Sequence, residues 1–347
     1  MNKKIYSSLI VLAVAIMAFV VPASNRAQDR QKTAAGVAAT ATTSASSLLP
    51  ALPASDVAMF LDVQKVLNDA LPRALASDKA RLAQINSEID SFKTRYGIDA
   101  RSFERVAVGL RFVNRSETVT TTDTVALAQG RFSAPAMIAA ARLAMKGKYR
   151  EQKYGGQTIY TFSINDRVKW LGLLNMRVSD VSIAALDANT LALGDLELVR
   201  ASIDAHAGRS RLSAELVQMA TRNPNAILGF AASVPAFVAQ HLDIGNEEIS
   251  KSISSIRQAY GSVGTTSTGF DMLMVARTDK PEQAQSLNDS FAALKQFSSF
   301  IIAQLPADKG KLAKNVIDSM KVTTEGSELQ IRLEVAQTDI ATMVQIF

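Results

Sequence analysis

The residues best suited to chemistry gather between positions 146 and 177. Lys146, Lys148, Arg150, Lys153, Arg167, Lys169 and Arg177 outnumber Glu151 and Asp166 there. Tyr149, Tyr154, Tyr160 and Trp170 are interleaved, and Trp170 is the only tryptophan of the chain. Ammonium and guanidinium groups beside aromatic rings suit an anionic polymer, a phospholipid head group or a partner protein. Lys146, Lys148, Arg150, Lys153, Arg167, Lys169 and Trp170 are therefore the candidate contacts. The same composition also describes a solvated basic hairpin with one ring packed on a core. The spacing places Trp170 in a loop between strands.

Other chemistries find little support. There is no cysteine, which removes disulfides, thiolate metal sites and thiol nucleophiles. The two histidines, His206 and His241, lack a second histidine at metal-ligand spacing. His206 falls just before Gly208, where an imidazole favours a helix C-terminus. No G-x-S-x-G elbow is present. Neither phosphate-binding loop occurs, nor an EF-hand loop. Glu88 and Asp90 lie off an apolar helical stripe, and Glu247-Glu248 opens a helix, where carboxylates suit the dipole. No catalytic, cofactor or metal residue is expected. The net charge of +6 is small and dispersed, so nucleic acid is not a predicted partner.

The elements that must position these residues begin after a leader. Lys3 and Lys4 precede the apolar run Leu9–Val21, and Val21-Pro22-Ala23 offers a cleavage site after Ala23. That pattern is a signal peptide over 1–23. The rival reading is an uncleaved anchor, for which the run is short. Either places the body outside the cytoplasmic membrane, in the periplasm or beyond the cell. Residues 24–52 are rich in Ala, Thr and Ser and read as a flexible spacer.

Val57–Leu61 is a short apolar run and reads as a buried strand. Leu82, Ile85, Ile89, Phe92 and Tyr96 recur at helical spacing, and Gly97 can end that helix. Strands are expected at 106–113 and 124–132 around a Ser/Thr-rich tip at 114–123, with a Pro135-led helix after them. Further strands follow at 157–164, 181–186 and 190–193, and then a helix capped by Asp195 that runs to His206.

The plan then recurs. Ala226–Phe230 echoes Val57–Leu61, Phe270–Arg277 echoes Val125–Arg131, and Pro281 stands where Pro135 stood. Ile249, Ile253, Ile256 and Tyr260, followed by Gly261, repeat the spacing of Ile85, Ile89, Phe92, Tyr96 and Gly97. A strictly alternating strand at 329–335 and a helix capped by Thr338 close the chain. The expected fold is α+β: unit 1 over 53–210 and a shorter unit 2 over 211–347. Each is a mostly antiparallel sheet with helices packed on one face.

Leu52-Pro53-Ala54-Ser55-Asp56-Val57-Ala58, with YGIDARSFERVAVGL at 96–110, resembles uncharacterised exported bacterial proteins. These have a Leu-Pro-Ala-Asp-type lead into the first strand. The resemblance implies export and a duplicated α+β fold, and it transfers no active site. Three function classes fit. The first is a non-enzymatic envelope protein, a binding or assembly module whose partner the sequence does not name, another envelope protein being one candidate. The second is an exported hydrolase with a site between the units. The third is a surface factor that binds anionic polymer or lipid head groups through 146–177. The differences between the units, the tip at 114–123 and the segment around Trp170, are where function is sought.

Overall fold

The computed structural model describes residues 45–347 apart from 117–118, 146–147, 171–173, 240–246, 305–306, 338 and 340–347. The leader, most of the spacer, Lys146, His241 and the helix expected from Thr338 lie outside the described residues.

Every paired strand belongs to one antiparallel sheet. In chain order the strands are β1 (Val57–Asp62), β2 (Phe103–Ser116), β3 (Val119–Gly130), β4 (Tyr149–Tyr154), β5 (Gln157–Trp170), β6 (Leu174–Ala185), β7 (Thr190–Gly194), β8 (Leu228–Ser233), β9 (Ile256–Thr265), β10 (Gly269–Thr278), β11 (Lys321–Glu325) and β12 (Glu328–Ala336). They lie side by side as β11-β12-β10-β9-β8-β1-β2-β3-β7-β6-β5-β4. Two separate sheets were expected; instead β1 and β8 pair from Val57↔Ala232 to Leu61↔Leu228 and fuse the halves. Both strands are apolar runs, as strands covered on two faces require.

The described α-helices longer than four residues are α1 (63–74, with a π turn at Val66–Ala70), α2 (Lys79–Tyr96), α3 (Ala134–Ala144), α4 (Leu196–His206), α5 (Ala214–Ala220), α6 (Glu247–Ser254), α7 (Pro281–Ala303) and α8 (Ala307–Ser319). They cover both faces, not one. Leu198, Val199 and Ile203 of α4 pack with Ile159, Ala184 and Ala192. Ala134 and Ile138 of α3 pack with Phe162, Ile183 and Leu191. Residues 183/184 and 191/192 are strand neighbours, so the two helices sit on opposite sides of the sheet. Strands that alternate Ile/Leu with Ala bury a large and a small row, and each row is met by its own helix.

Other expectations are corrected. Ala45–Ala51, placed in the spacer, is a 3-10 helix, and Leu48, Leu49 and Leu52 are buried in the core. Pro53 then bridges Arg211 and the Leu212 amide donates to the Leu52 carbonyl, 2.9 Å. The start of the folded body is thus stitched to the junction between the halves. The helix expected to run to Tyr260 ends at Ser254, and Tyr260 and Gly261 lie in β9. The Ser254 hydroxyl donates back to the Lys251 carbonyl and the Ser255 hydroxyl to that of Ser252, which closes the last turn. A Cβ at Gly261 would fall 2.2 Å from the Leu273 carbonyl and 2.7 Å from the Phe230 ring. That glycine serves close strand packing, whereas Gly97 serves a helix end at φ 70°. The two glycines are not equivalents. The described part of the α2 stripe is also not core: Leu82, Ile85 and Ile89 are only half-buried, and the side chains of Phe92 and Tyr96 lie outside the described ones.

Candidate functional site

Two hairpins run past the ends of their neighbours. β2 and β3 pair from Phe103↔Gly130 to Ser116↔Val119. β1 accompanies β2 only as far as Leu110, and β7 accompanies β3 only from Val125. β5 and β6 pair out to Trp170↔Leu174, while β4 stops opposite Phe162 and β7 opposite Ser182. Four successive antiparallel steps separate β2 from β5, so both run the same way and both tips leave the same edge. β7 lies between them, which sets the arms about 10 Å apart at their base by strand spacing. The second arm, from Ser163 to Trp170, reaches about 25 Å.

Each arm is anchored where its neighbours end. Leaving the sheet orphans the outward backbone donors of β2 and β3. The Phe112 amide donates to the Asp56 carboxylate at 2.8 Å, and the Thr124 amide to the Asp195 carboxylate at 2.6 Å. Asp195 occupies the N-cap position of α4 but makes no side-chain cap there. Burial pushes its carboxyl above the ordinary range; the Thr124 hydrogen bond works against this and the charge of Asp123 adds to it. Arg111 and Asp123 pair across the first arm at 3.0 Å. At the base of the second arm Asp180 accepts from Arg150 at 2.6 Å and from Ser163 at 2.8 Å.

The structure splits the basic candidates into two groups. Arg150 and Lys153 lie on the edge strand β4, exposed, with Lys148 just before it. Charges on a short edge strand block pairing with another chain, and Arg150 is already engaged by Asp180. Lys153 pairs in register with Thr158 beside the Gly155-Gly156 turn. Twelve residues of β5 separate that rung from Trp170, about 40 Å. Arg167, Lys169 and Trp170 belong to the second arm, and Trp170 ends a strand instead of lying in a loop. Nearby, Arg142 covers the faces of Tyr149 and Tyr160 and donates to the Tyr149 hydroxyl at 2.9 Å. That contact locks α3 to the sheet.

A polar cluster that the sequence reading missed sits on the opposite half. Tyr260, fully buried, donates to both oxygens of Glu328 at 3.1 Å and accepts from Arg222. Arg277 donates to Glu328 at 2.8 and 2.9 Å and to Gln258 at 2.9 Å, and it lies 3.5 Å from Glu215. Burial raises the Glu328 carboxyl, but the hydrogen bonds from Arg277 and Tyr260 outweigh it and hold the group below its ordinary value. Burial and the Glu328 charge push the Tyr260 phenol up. Two guanidiniums balance two carboxylates, so the cluster is closed on itself and ties α5 to β9, β10 and β12. The alternation of Gln258, Tyr260 and Ser262 was the available signal, hidden by the helical spacing of the isoleucines before it.

A shallow depression of about 740 Å³ runs along α2, lined by Ala83, Asn86, Ser87, Asp90, Ser91 and Thr94. Asp90 already accepts from Arg101 at 2.6 Å. Among the described residues no group of three or more histidine or carboxylate side chains is placed to hold a metal ion. No described helix is long and apolar enough to cross a membrane.

No family model and no curated protein matches the chain. Solved structures of the protein TP0453 are similar in outline. Crystal form III is 9% identical, with a TM-score of 0.42 over 86% of this chain and 98% of that one. Form IV is 10% identical, with a TM-score of 0.41 over 85% and 95%. Likeness at that level carries no functional argument, so function rests on the chain's own residues.

Proposed function

We propose that this chain is an exported, non-enzymatic binding module of the cell envelope, and that the β5–β6 arm is its contact organ. The observation that carries the reading is the pair of hairpins leaving one edge of a broad, doubly covered sheet. Contact residues commonly sit on extensions that a rigid scaffold holds out. The charged clusters inside the body are spent on one another, which favours binding over catalysis. Export is supported by the leader-like pattern at 1–23.

The body is further read as two copies of one unit. In support, β1-β2-β3 and β8-β9-β10 extend outward from the central β1/β8 pair in mirrored order. α3 and α7 each follow the third strand, and the last strand of each half, β7 or β12, returns beside it. Unit 2 has one hairpin where unit 1 has four strands, and the second arm arises from the surplus. This correspondence keeps the boundary near 210/211.

The test is cell fractionation with sequencing of the mature N-terminus, done for the full chain and for a variant in which 164–179 is replaced by Asn-Gly. The expected result is an envelope protein beginning at Ser24 that loses retention without the arm. A cytoplasmic protein that keeps Met1, or full retention without the arm, would contradict the reading.

A further inference from the structure

At the end away from β4, the sheet closes with β11, which pairs with β12 on one side and with no described strand on the other. Lys321, Thr323, Thr324 and Glu325 are exposed along it, and Val322 is half-buried. The direction of its backbone groups follows from the turn. Gly326, at φ 56°, and Ser327 connect β11 to β12. Across a two-residue turn, Glu325 and Glu328 exchange both of their backbone hydrogen bonds. The ladder alternates from there, so Thr323 and Lys321 also bond inward, opposite Gln330 and Arg332. Val322 and Thr324 then point their N–H and C=O groups outward. Two rungs of this hairpin are charged alike. Lys321 stands opposite Arg332, and Glu325 stands opposite Glu328. Like charges directly opposite destabilise a strand pair. Arg277 compensates Glu328 from the far side, and Glu325 accepts one hydrogen bond, from Gln330 at 3.1 Å.

We propose that β11 docks a second copy of this chain, the two β11 strands running antiparallel about a two-fold axis at Thr323. In that register Val322 lies opposite the partner's Thr324, so the outward N–H and C=O groups of both strands are all satisfied. Lys321 meets the partner's Glu325, and Glu325 meets the partner's Lys321. Each like-charge rung is thereby extended by the opposite charge. Moving the axis to Val322 or Thr324 keeps the hydrogen-bonding parity but loses both ion pairs and shortens the overlap. Charges on an edge strand ordinarily repel a second copy. Here Lys321-Val322-Thr323-Thr324-Glu325 runs from a cation to an anion, so two antiparallel copies attract. The contact is isologous and closes on itself. Five residues from each copy make a small interface, of the weak and reversible class. β11 and the β5–β6 arm lie toward opposite ends of the sheet, so this contact stands or falls independently of the arm.

Sedimentation equilibrium of the full chain over a range of concentrations is the test, and a monomer–dimer equilibrium is expected. Lys321→Glu and Glu325→Lys each put like charges on both end rungs of the dimer and should weaken it about 30-fold. Each also removes a like-charge rung within its own chain, so neither should melt below the parent. Mixed together, the two variants place opposite charges on both end rungs, and the dimer should return. Thr324→Pro removes an outward donor from each copy without touching the β12 ladder, a place where an edge strand accepts proline. It should abolish dimerisation while melting with the parent. A parent that stays monomeric at every concentration overturns the proposal. So does a dimer that is unmoved by both single charge reversals, or one that the mixture fails to restore.

Discussion

Glu328 is the residue on which the second half's polar cluster turns, because Tyr260 and Arg277 both donate to it. Removing its charge leaves the buried Tyr260 hydroxyl and the part-buried Arg277 guanidinium with a weaker acceptor, so Glu328→Gln should lower stability by about 2 kcal/mol. The sign of the pH dependence follows from its folded pKa lying below the ordinary 4.5. Its ionised form binds the fold more tightly, so the contribution is complete above 4.5 and is lost as pH falls through the lower folded value. Urea midpoints measured from pH 7 to 3 should show the parent's lead over Glu328→Gln shrinking only below that point; a constant lead would contradict this. Asp195 has the opposite sign. Its folded pKa lies above 3.8, so the fold prefers the protonated acid and loses stability as pH rises through that window. Asp195→Asn keeps an acceptor for the Thr124 amide and should stay within about 1 kcal/mol of the parent at pH 7. Asp195→Ala orphans that amide and should cost about 1–2 kcal/mol. Equal losses for the two variants would refute the anchoring role. Neither residue was legible in these roles beforehand: Asp195 read as a helix cap, and Tyr260 was absorbed into a run of isoleucines at helical spacing.

Among the elements, the 3-10 helix at Ala45–Ala51 departs furthest from its sequence. Seven residues containing one proline and two serines look like the tail of a spacer, and no local pattern shows that Leu48, Leu49 and Leu52 fill the core. Leu49 is fully buried, so Leu49→Ala should destabilise by about 3 kcal/mol. A loss below about 1 kcal/mol in chemical denaturation would show that the segment is not part of the core. Helix α2 errs in the other direction. Its stripe is clear and both caps form, with Asp78 accepting from the Arg81 amide and Gly97 in the left-handed conformation, yet Leu82, Ile85 and Ile89 remain half-exposed. Periodicity reveals which face is apolar but not how much of it another element covers. The second arm should be thermodynamically separate from the body, since its outer rungs pair only with each other. Replacing 164–179 by Asn-Gly should therefore leave the melting temperature of the body within about 2 °C of the parent.

For the whole molecule, the strands were the readable part. Alternation and turn residues placed most of them within a few positions, and the Pro-led helices fell where expected; the stretch 114–123, expected as a tip, is mostly strand, in β2 as far as Ser116 and in β3 from Val119. What stayed hidden was the sheet order. Which strand neighbours which depends on contacts far apart in sequence, and nothing local in Val57–Leu61 or Leu228–Ser233 says that they pair. That pairing makes the halves interdependent. A further lock joins α1 to the β9–β10 turn: Asp69 accepts from Thr265 at 2.9 Å, and Arg73 donates to the Thr266 carbonyl at 2.9 Å. A fragment ending at residue 210 would bare the edge of β1, an apolar strand without guarding charges before Asp62. It should self-associate in sedimentation experiments, and a monodisperse monomer would argue for two autonomous units. Under the proposed function, the leader-like pattern at 1–23 and the β5–β6 arm describe one arrangement, a sheet held at the envelope that presents the arm to its partner. The most direct measurement of that claim is hydroxyl-radical footprinting of the full chain in intact envelopes and after purification. The account predicts that Trp170 and Met176 are shielded only in the envelope, while Met272 and Met274, exposed on the far half of the sheet, are oxidised equally in both. Equal oxidation of Trp170 and Met176 in the two states would contradict it.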